Sequence, residues 1–154
     1  MNLSTHLLKP SDQAQINQIA EWYFKEWNIP MERTRQRLEE HPNEDVLFQI
    51  VLKKDQMPVA TGGIYNQVGI LNEFPEFRKF RPWLALVYTD IDHRNLGLGN
   101  KLLQAIEARC KETGIGKIYL YTFTAESLYL KAGWQILERL DFKGHDTVVM
   151  EKEL

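Results

Sequence analysis

The sequence predicts an α/β (α+β) fold in which helices pack on a mixed, mostly antiparallel central sheet. Strand-like and helix-like segments follow one another along the 154 residues in the order βααβββαβαββ, which indicates layered α/β architecture. The run Trp83–Thr89 is almost continuously apolar, as in a strand that is covered on both faces. Two strand patterns at the C-terminal end are typical of a hairpin and favour antiparallel pairing.

The N-terminal half is predicted from its periodicity and its prolines. A short strand over Thr5–Lys9 is closed by Pro10, and Ser11 and Asp12 offer an N-cap to the helix that follows. That helix stops at Pro30, and its apolar residues recur at helical spacing: Ile16, Ile19, Ala20, Tyr23, Phe24 and Trp27. A mostly polar helix and two strands come next, over Glu32–Glu40, Asp45–Lys54 and Pro58–Tyr65.

The C-terminal half begins with an irregular, aromatic stretch over residues 66–81, which leads into the apolar strand Trp83–Thr89. A long helix with an apolar stripe is expected over Gly97–Glu112, and Gly114 is its natural C-cap. The remaining segments are a strand, a short helix and a hairpin that turns at residues 143–146, and they span Lys117–Tyr121, Ala125–Lys131, Trp134–Arg139 and Thr147–Lys152.

Composition and charge exclude several classes of function. There are 19 Lys and Arg against 21 Asp and Glu, so no basic excess attracts nucleic acid. No stretch approaches the ~20 apolar residues of a membrane helix, and no signal-peptide pattern is visible. The single cysteine, Cys110, excludes an intrachain disulfide and a multi-cysteine metal site. We therefore expect a cytoplasmic protein in which residues 1–154 form one domain, without a metal and without nucleic-acid or membrane partners.

One segment carries chemistry, and it lies between the apolar strand and the long helix: Asp90-Ile91-Asp92-His93-Arg94-Asn95-Leu96-Gly97-Leu98-Gly99-Asn100-Lys101. Its two glycines let the backbone approach a ligand closely. The helix start supplies unpaired N–H groups and the positive end of its dipole, which together suit a phosphate. Neither a Walker loop nor a dinucleotide fingerprint fits the spacing. On these residues alone, a tight turn that binds nothing stays open as an alternative.

Three segments together point to a known family. Arg94-x-x-Gly97-x-Gly99 resembles the pyrophosphate loop of the GCN5-related N-acetyltransferase (GNAT) family. The segment AESLYLKAGW, residues 125–134, resembles the family's Ala-x-x-Leu/Phe-Tyr-x-x-x-Gly-Phe segment, and PWLALVYT, residues 82–89, resembles the strand before the loop. Three matches in the same order and spacing are far more specific than one loop. The resemblance covers about residues 45–152.

The resemblance implies an acetyl-CoA-dependent N-acetyltransferase that needs no metal. In the family, loop amides hold the pyrophosphate of acetyl-CoA, which implies this role for the N–H groups of Arg94, Asn95, Leu96, Gly97, Leu98, Gly99, Asn100 and Lys101. The preceding strand pairs with the pantetheine arm, which implies contacts from Val87, Tyr88 and Thr89. That strand splays from its neighbour to admit the thioester, and one of its N–H groups would stabilise the oxyanion.

Tyr129 matches the family tyrosine that protonates the departing thiolate, and so it is the implied catalytic residue. A thiol titrates near 8.5 and a phenol near 10, so a tyrosine holds its proton at neutral pH until it is needed. A core tyrosine on a short helix is the alternative. Thr122 stands where many members have an asparagine that bonds the cofactor arm, so we expect that contact to be shorter or absent.

No motif fixes the base that takes the proton from the attacking amine. Glu73 is preferred, and Glu76, Asp90 and Asp92 are also near the expected cleft in sequence. A solvated surface carboxylate is an alternative for each of them. We expect His93 to be a loop residue rather than a catalytic or metal-binding histidine.

The leading hypothesis for the function is direct acetyl transfer to a primary amine of a small molecule. A protein or peptide acetyltransferase and a coenzyme A binding module without turnover stay open, as does homodimerisation through the C-terminal hairpin. Cys110 lies on the apolar stripe of the long helix, where a buried structural thiol is expected. An aromatic acceptor pocket is one further hypothesis, built from Trp22, Trp27, Phe74, Phe77 and Phe80.

Overall fold

A computed structural model describes residues 2–154 of the chain. Across these residues, seven strands form one mixed sheet in the order β1-β2-β3-β4-β5-β7-β6. The strands are β1 (Leu3–Leu7), β2 (Val46–Lys54), β3 (Met57–Tyr65), β4 (Trp83–Thr89), β5 (Lys117–Thr122), β6 (Gln135–Phe142) and β7 (His145–Glu153). All neighbouring pairs are antiparallel except β4 and β5, which run parallel. The predicted fold class is therefore confirmed.

Helices cover both faces of the sheet. They are α1 (Gln13–Trp27), α2 (Met31–Glu40), α3 (Ile70–Glu73), α4 (Leu98–Glu112) and α5 (Glu126–Lys131). The apolar stripe of α4 packs with Phe48 and Ile50 of β2 in one core. On the opposite face, α1 and α2 pack with Val46 and Val51 of the same strand in a second core. From Phe48 onwards, alternate residues of β2 point into different cores, as the pleat of a strand requires, whereas Val46 lies beyond an irregularity in the pairing with β3.

Four local expectations differ from the structure. The first strand lies two residues earlier than predicted, because Leu3–Leu7 pair with β2. The Asp12 carboxylate accepts the N–H of Lys9 at 2.9 Å and makes no cap bond to α1. The stretch expected to be irregular contains α3 and a 3₁₀ turn. The final hairpin turns tightly at Lys143 and Gly144, which both have positive φ (54° and 83°), as a two-residue hairpin turn needs.

Strand β4 leaves its parallel neighbour soon after it begins. Trp83 and Tyr119 are the single registered pair between β4 and β5 among residues 2–154, whereas β4 pairs with β3 along its length. The two strands therefore splay, as the sequence resemblance implied. Because they are parallel, the segments that follow them, the loop before α4 and helix α5, leave the sheet at the same edge.

Candidate active site

The loop between β4 and α4 presents its backbone rather than its side chains. Within residues 2–154, none of the N–H groups from Arg94 to Asn100 has a backbone acceptor outside a regular helix or strand, and α4 has no side-chain N-cap bond. Such groups normally find a partner when they are shielded from water. Asn95 and Gly97 both have left-handed backbones, with φ of 65° and 75°. Left-handed residues in a turn can direct neighbouring N–H groups towards one anion.

Gly97 and Gly99 keep the front of this loop open. A Cβ built on Gly97 would meet no atom within 4 Å, and one on Gly99 would meet the Thr89 Oγ1 at 3.9 Å. The end of β4 and the first turn of α4 are thus in contact, and the space before them is free of protein. A pyrophosphate fits such a cradle, since it accepts several N–H bonds and lies at a helix N-terminus.

The two charged side chains of this segment, those of Arg94 and Lys101, lie in different surroundings. Lys101 is exposed on the first turn of α4. Arg94 folds back across β4: its Nε donates to the Thr89 carbonyl at 2.9 Å, and its guanidinium lies over the Tyr88 ring. Its terminal nitrogen also lies 3.6 Å from the Glu26 carboxylate of α1. In this conformation Arg94 links the loop to α1.

The three predicted arm contacts on β4 lie in different surroundings. Val87 is half-buried against the core beneath α4. The Tyr88 ring is buried on the other face, 5.2 Å from the Trp22 ring and 6.2 Å from that of Trp27. Thr89 is half-buried beside the first turn of α4. Beyond Trp83, the side of β4 that faces away from β3 has no strand registered against it in residues 2–154, and an extended ligand could add to the strand there.

Strand β4 also contains a bulge that the sequence analysis missed. Thr61 pairs with Tyr88 but Gly63 pairs with Ala85, so Leu86 and Val87 together oppose Gly62. Leu86 has φ of 57°, a left-handed conformation that costs a bulky residue roughly 1–3 kcal/mol. Its carbonyl accepts the hydroxyl of Tyr23 at 2.6 Å. Nothing in the letters WLALVYT marks this position, because tertiary contacts hold it.

Tyr129 lies on α5, with its ring buried against Trp134 at 5.7 Å between centroids. Burial raises the pKa of its hydroxyl to about 12. That hydroxyl has no hydrogen-bond partner in the described part of the chain, and it retains contact with solvent. A tyrosine in this setting stays protonated at every physiological pH and has a free donor.

Thr122 has a local structural role at the end of β5. Its Oγ1 accepts the N–H groups of Thr124 and Ala125 at 3.3 Å and 3.2 Å. These bonds shape the turn that leads into α5 and so place Tyr129. The residue that departs from the family pattern therefore supports the helix of the predicted catalytic residue.

The remaining candidates are distributed around the molecule. Glu73, Glu76 and Asp92 are exposed, and the Asp90 carboxylate lies 2.7 Å from the Nδ1 of His93. No group of three or more His, Cys, Asp or Glu is arranged to hold a metal ion in residues 2–154. Likewise, no helix of that range is long and apolar enough to cross a membrane.

The aromatic residues considered for an acceptor pocket form two separate clusters. Trp22 and Trp27 pack with Tyr88 at the C-terminal end of β4. The Phe77 ring lies between those of Phe74 and Phe80, with centroids 5.7 Å and 5.8 Å away. Phe80 in turn stacks on Tyr119 of β5, at 4.9 Å. These rings are engaged with one another.

Comparison with known proteins identifies the family. A profile of the Acetyltransferase (GNAT) family matches residues 14–134, which include β4, the loop and Tyr129. The chain belongs to the GNAT acetyltransferase family. It is thus an N-acetyltransferase, and acetyl-CoA is its co-substrate. No curated protein matches this acetyltransferase significantly in sequence.

Solved structures agree on the fold. An aminoglycoside 6'-N-acetyltransferase complexed with coenzyme A superposes with a TM-score of 0.75 at 17% identity, covering 99% of this chain and 97% of that one. The aminoglycoside 6'-N-acetyltransferase from Enterococcus faecium gives 0.73 at 17% identity, with 99% and 97% covered. Ard1 from Thermoplasma volcanium gives 0.72 at 17%, with 100% and 99% covered. At these identities the likeness shows the fold of this acetyltransferase.

Proposed function

We propose that this acetyltransferase moves the acetyl group of acetyl-CoA directly to a primary amine of a small molecule, with residues 1–154 acting as one domain. One observation supports the proposal: β4 and β5 run parallel and separate after one registered pair, and the segments that follow them contain donors without a protein partner in residues 2–154. The loop N–H groups follow β4, and the Tyr129 hydroxyl follows β5. Parallel strands bring the segments after their carboxyl ends to one edge, where open sheets bind ligands.

The loop holds the pyrophosphate in this proposal. The N–H groups from Arg94 to Asn100 donate to phosphate oxygens, and the helix dipole of α4 adds favourable potential. The Lys101 N–H already donates to the Gly97 carbonyl at 3.3 Å, so Lys101 contributes through its charged side chain. The pantetheine arm then follows the backbone of Val87, Tyr88 and Thr89 into the splay. A backbone N–H of this strand donates to the oxygen of the tetrahedral intermediate, which is a large contribution in acyl transfer.

Tyr129 serves as the general acid. The amine nitrogen forms a bond to the acetyl carbon, the carbon–sulfur bond breaks, and Tyr129 gives its proton to the departing thiolate. Its pKa near 12 keeps the proton available at neutral pH, and its hydroxyl is not committed to another acceptor. The proton lost by the amine passes to a base or to water, and Glu73 remains the preferred side chain for that step.

Support for a small-molecule acceptor comes from the neighbours. Three of the similar structures are aminoglycoside 6'-acetyltransferases, whose acceptors are small molecules bearing amines. Their likeness to this chain concerns the fold, so the acceptor class is decided by assay.

The test is a thiol-release assay with acetyl-CoA and a panel of amines. The panel contains polyamines, aminoglycosides, amino acids and peptides with a free lysine or a free N-terminus. We expect turnover with small amines and little with peptides. Preferential turnover of peptides would contradict the acceptor class. Thermal stabilisation by coenzyme A without turnover of any amine would instead favour a binding module.

A further inference from the structure

A buried polar network lies between α1 and the sheet, outside the residues that carry the proposed function. It consists of Tyr23, Gln49, Thr61 and Tyr65, and none of them is more than 1% exposed. The network reaches β4 at one atom, the carbonyl oxygen of Leu86, which accepts the Tyr23 hydroxyl at 2.6 Å. It therefore connects the core beneath α1 to the bulge of β4.

The hydrogen bonds of this network have fixed directions. Gln49 donates through Nε2 to the Tyr23 and Thr61 hydroxyls, at 2.9 Å and 2.8 Å. Thr61 in turn donates to the Ile50 carbonyl at 2.8 Å, and Tyr65 donates to the Gln49 Oε1 at 2.7 Å. Tyr23 receives a bond from Gln49, so its single proton is directed at Leu86. Fully paired buried networks of this kind are rigid and favour one arrangement.

Two glycines make room for this arrangement. A Cβ on Gly63 would overlap the Gln49 Oε1 and would approach the Phe48 carbonyl oxygen to 2.7 Å. A Cβ on Gly62 would lie 3.1 Å from the Val87 side chain and 3.5 Å from its Cα. The sequence Thr61-Gly62-Gly63 thus accommodates the Gln49 amide on one side and the bulge on the other.

We propose that Tyr23 is a positioning residue, which sets the orientation of the Leu86–Val87 peptide for acetyl transfer. The Leu86 carbonyl and the Val87 N–H belong to one planar unit, so a bond that fixes the first also fixes the direction of the second. The inference rests on the proposed function, in which Val87 lies along the cofactor arm. Tyr23 touches neither substrate, and it acts through the strand.

A purely structural role predicts a different outcome. Thr61 and Tyr65 bond to groups of β2, Gln49 bonds to Thr61 and to Tyr23, and Tyr23 is the member that reaches β4. Removing its hydroxyl leaves the strained Leu86 carbonyl without that donor, and the bulge can then relax. A role in stability alone would lower the melting temperature and leave kcat and the bulge geometry unchanged.

The peptide in question can be observed by itself. Leu86-Val87 is the single Leu-Val pair in the sequence. Protein labelled with [1-13C]leucine and [15N]valine therefore gives one cross-peak in an HNCO spectrum, from this peptide. We expect that cross-peak to move in Tyr23→Phe, and to move in the wild-type protein when coenzyme A is added. Tyr119→Phe removes a hydroxyl outside the network and should leave the cross-peak in place.

Kinetics complete the test, using the amine found in the panel. Tyr23→Phe should lower kcat about tenfold or more, because small misplacements of reacting groups are costly, while KM for acetyl-CoA changes little. Tyr119→Phe should keep the wild-type kcat. Gln49→Met removes the donor to Tyr23, so it should shift the Leu86–Val87 cross-peak and lower kcat in the same direction as Tyr23→Phe, by smaller amounts. It serves as the test variant if Tyr23→Phe does not fold.

An unmoved cross-peak, or a wild-type kcat in Tyr23→Phe, would overturn the proposal. A rise in KM with kcat unchanged would also overturn it, because that result assigns the network to binding. A wild-type protein that binds coenzyme A and acetylates no amine would contradict the proposed function instead. The cross-peak would still decide whether Tyr23 holds the bulge.

Discussion

Each face of the sheet beside β4 has a buried tyrosine, and the two tyrosines differ in whether the hydroxyl has a hydrogen-bond partner. On the face covered by α1, Tyr23 is bonded to Leu86 and Gln49. On the face covered by α4 and α5, Tyr129 is 8% exposed against 1% for Tyr23, and its hydroxyl has no partner among residues 2–154. Burial raises the pKa of both side chains. Fully buried polar groups are normally paired, whereas the Tyr129 hydroxyl retains contact with solvent and is therefore free to donate to a ligand.

The same contrast holds for the backbone. The Leu86 carbonyl is held by a side chain from the core, whereas the N–H groups from Arg94 to Asn100 point at no protein acceptor in the described chain. Pre-formed donors avoid the cost of rearrangement when charge develops. The bulge of β4 is thus held in place by the protein, whereas the loop after β4 has donors that are free to bind a ligand.

The largest effect is expected from Tyr129. Tyr129→Phe removes the free hydroxyl and keeps the ring, so kcat should fall by about 10²-fold or more, with little change in the affinity for acetyl-CoA. Steady-state kinetics and calorimetry separate the two quantities. Cys110→Ala is the control, because the Cys110 thiol is buried and its pKa is raised to about 12. Wild-type kcat in Tyr129→Phe together with an inactive Cys110→Ala would indicate an acetyl-cysteine route.

Gly97 tests the loop, and Gly114 offers a matched control. Both have left-handed backbones (φ 75° and 82°), and a Cβ at either would meet no atom within 4 Å. A valine therefore imposes a similar backbone cost on each, about 1–2 kcal/mol, which should lower the melting temperature alike. Gly97→Val alone should weaken acetyl-CoA binding roughly tenfold or more, since it obstructs donors to a charged phosphate. Equal affinities in the two variants would place the pyrophosphate elsewhere.

How much of this site was accessible from the sequence depends on how local its determinants are. The apolar run of β4 and the stripe of α4 were predicted to within one residue, because each repeats over several turns or pleats. The loop donors followed from the spacing of Gly97 and Gly99. The role of Tyr129 came from the resemblance and remains a prediction.

The features that were missed are fixed by distant residues. Helix α3 is four residues long, too short for helical periodicity to register. The left-handed Leu86 has no local cause, because leucine disfavours that conformation. It is held by Tyr23, 63 positions away, and by the missing side chain of Gly62. A single sequence contains these residues and does not reveal that they meet.

The stability of the protein at alkaline pH tests how far the Tyr129 hydroxyl is shielded from water in the folded chain. In the unfolded chain Tyr129 loses its proton near pH 10, whereas in the folded chain its pKa is about 12. Its contribution to the free energy of unfolding is therefore complete below pH 10 and is lost as pH rises towards 12, by about 1.4 kcal/mol per pH unit. Urea unfolding at pH 8 and pH 11 should show a smaller loss for Tyr129→Phe than for the wild type. Equal losses would mean that the Tyr129 hydroxyl is solvated when folded.

The smallest effect concerns the link between the loop and α1. The Arg94 and Glu26 side chains are about 40% exposed, with 3.6 Å between them, so their ion pair contributes under about 1 kcal/mol to stability. Glu26→Gln removes a carboxylate near the phosphate site and releases Arg94 from its partner. Affinity for acetyl-CoA should rise roughly two- to fivefold at low salt and approach the wild-type value as salt screens the charges.

Glu112→Gln makes the same charge change at the far end of α4, where Glu112 pairs with Arg109 at 3.4 Å, and should alter affinity much less. If the two variants gain affinity equally, net charge accounts for the effect; if Glu26→Gln loses affinity, the ion pair holds Arg94 where the cofactor needs it.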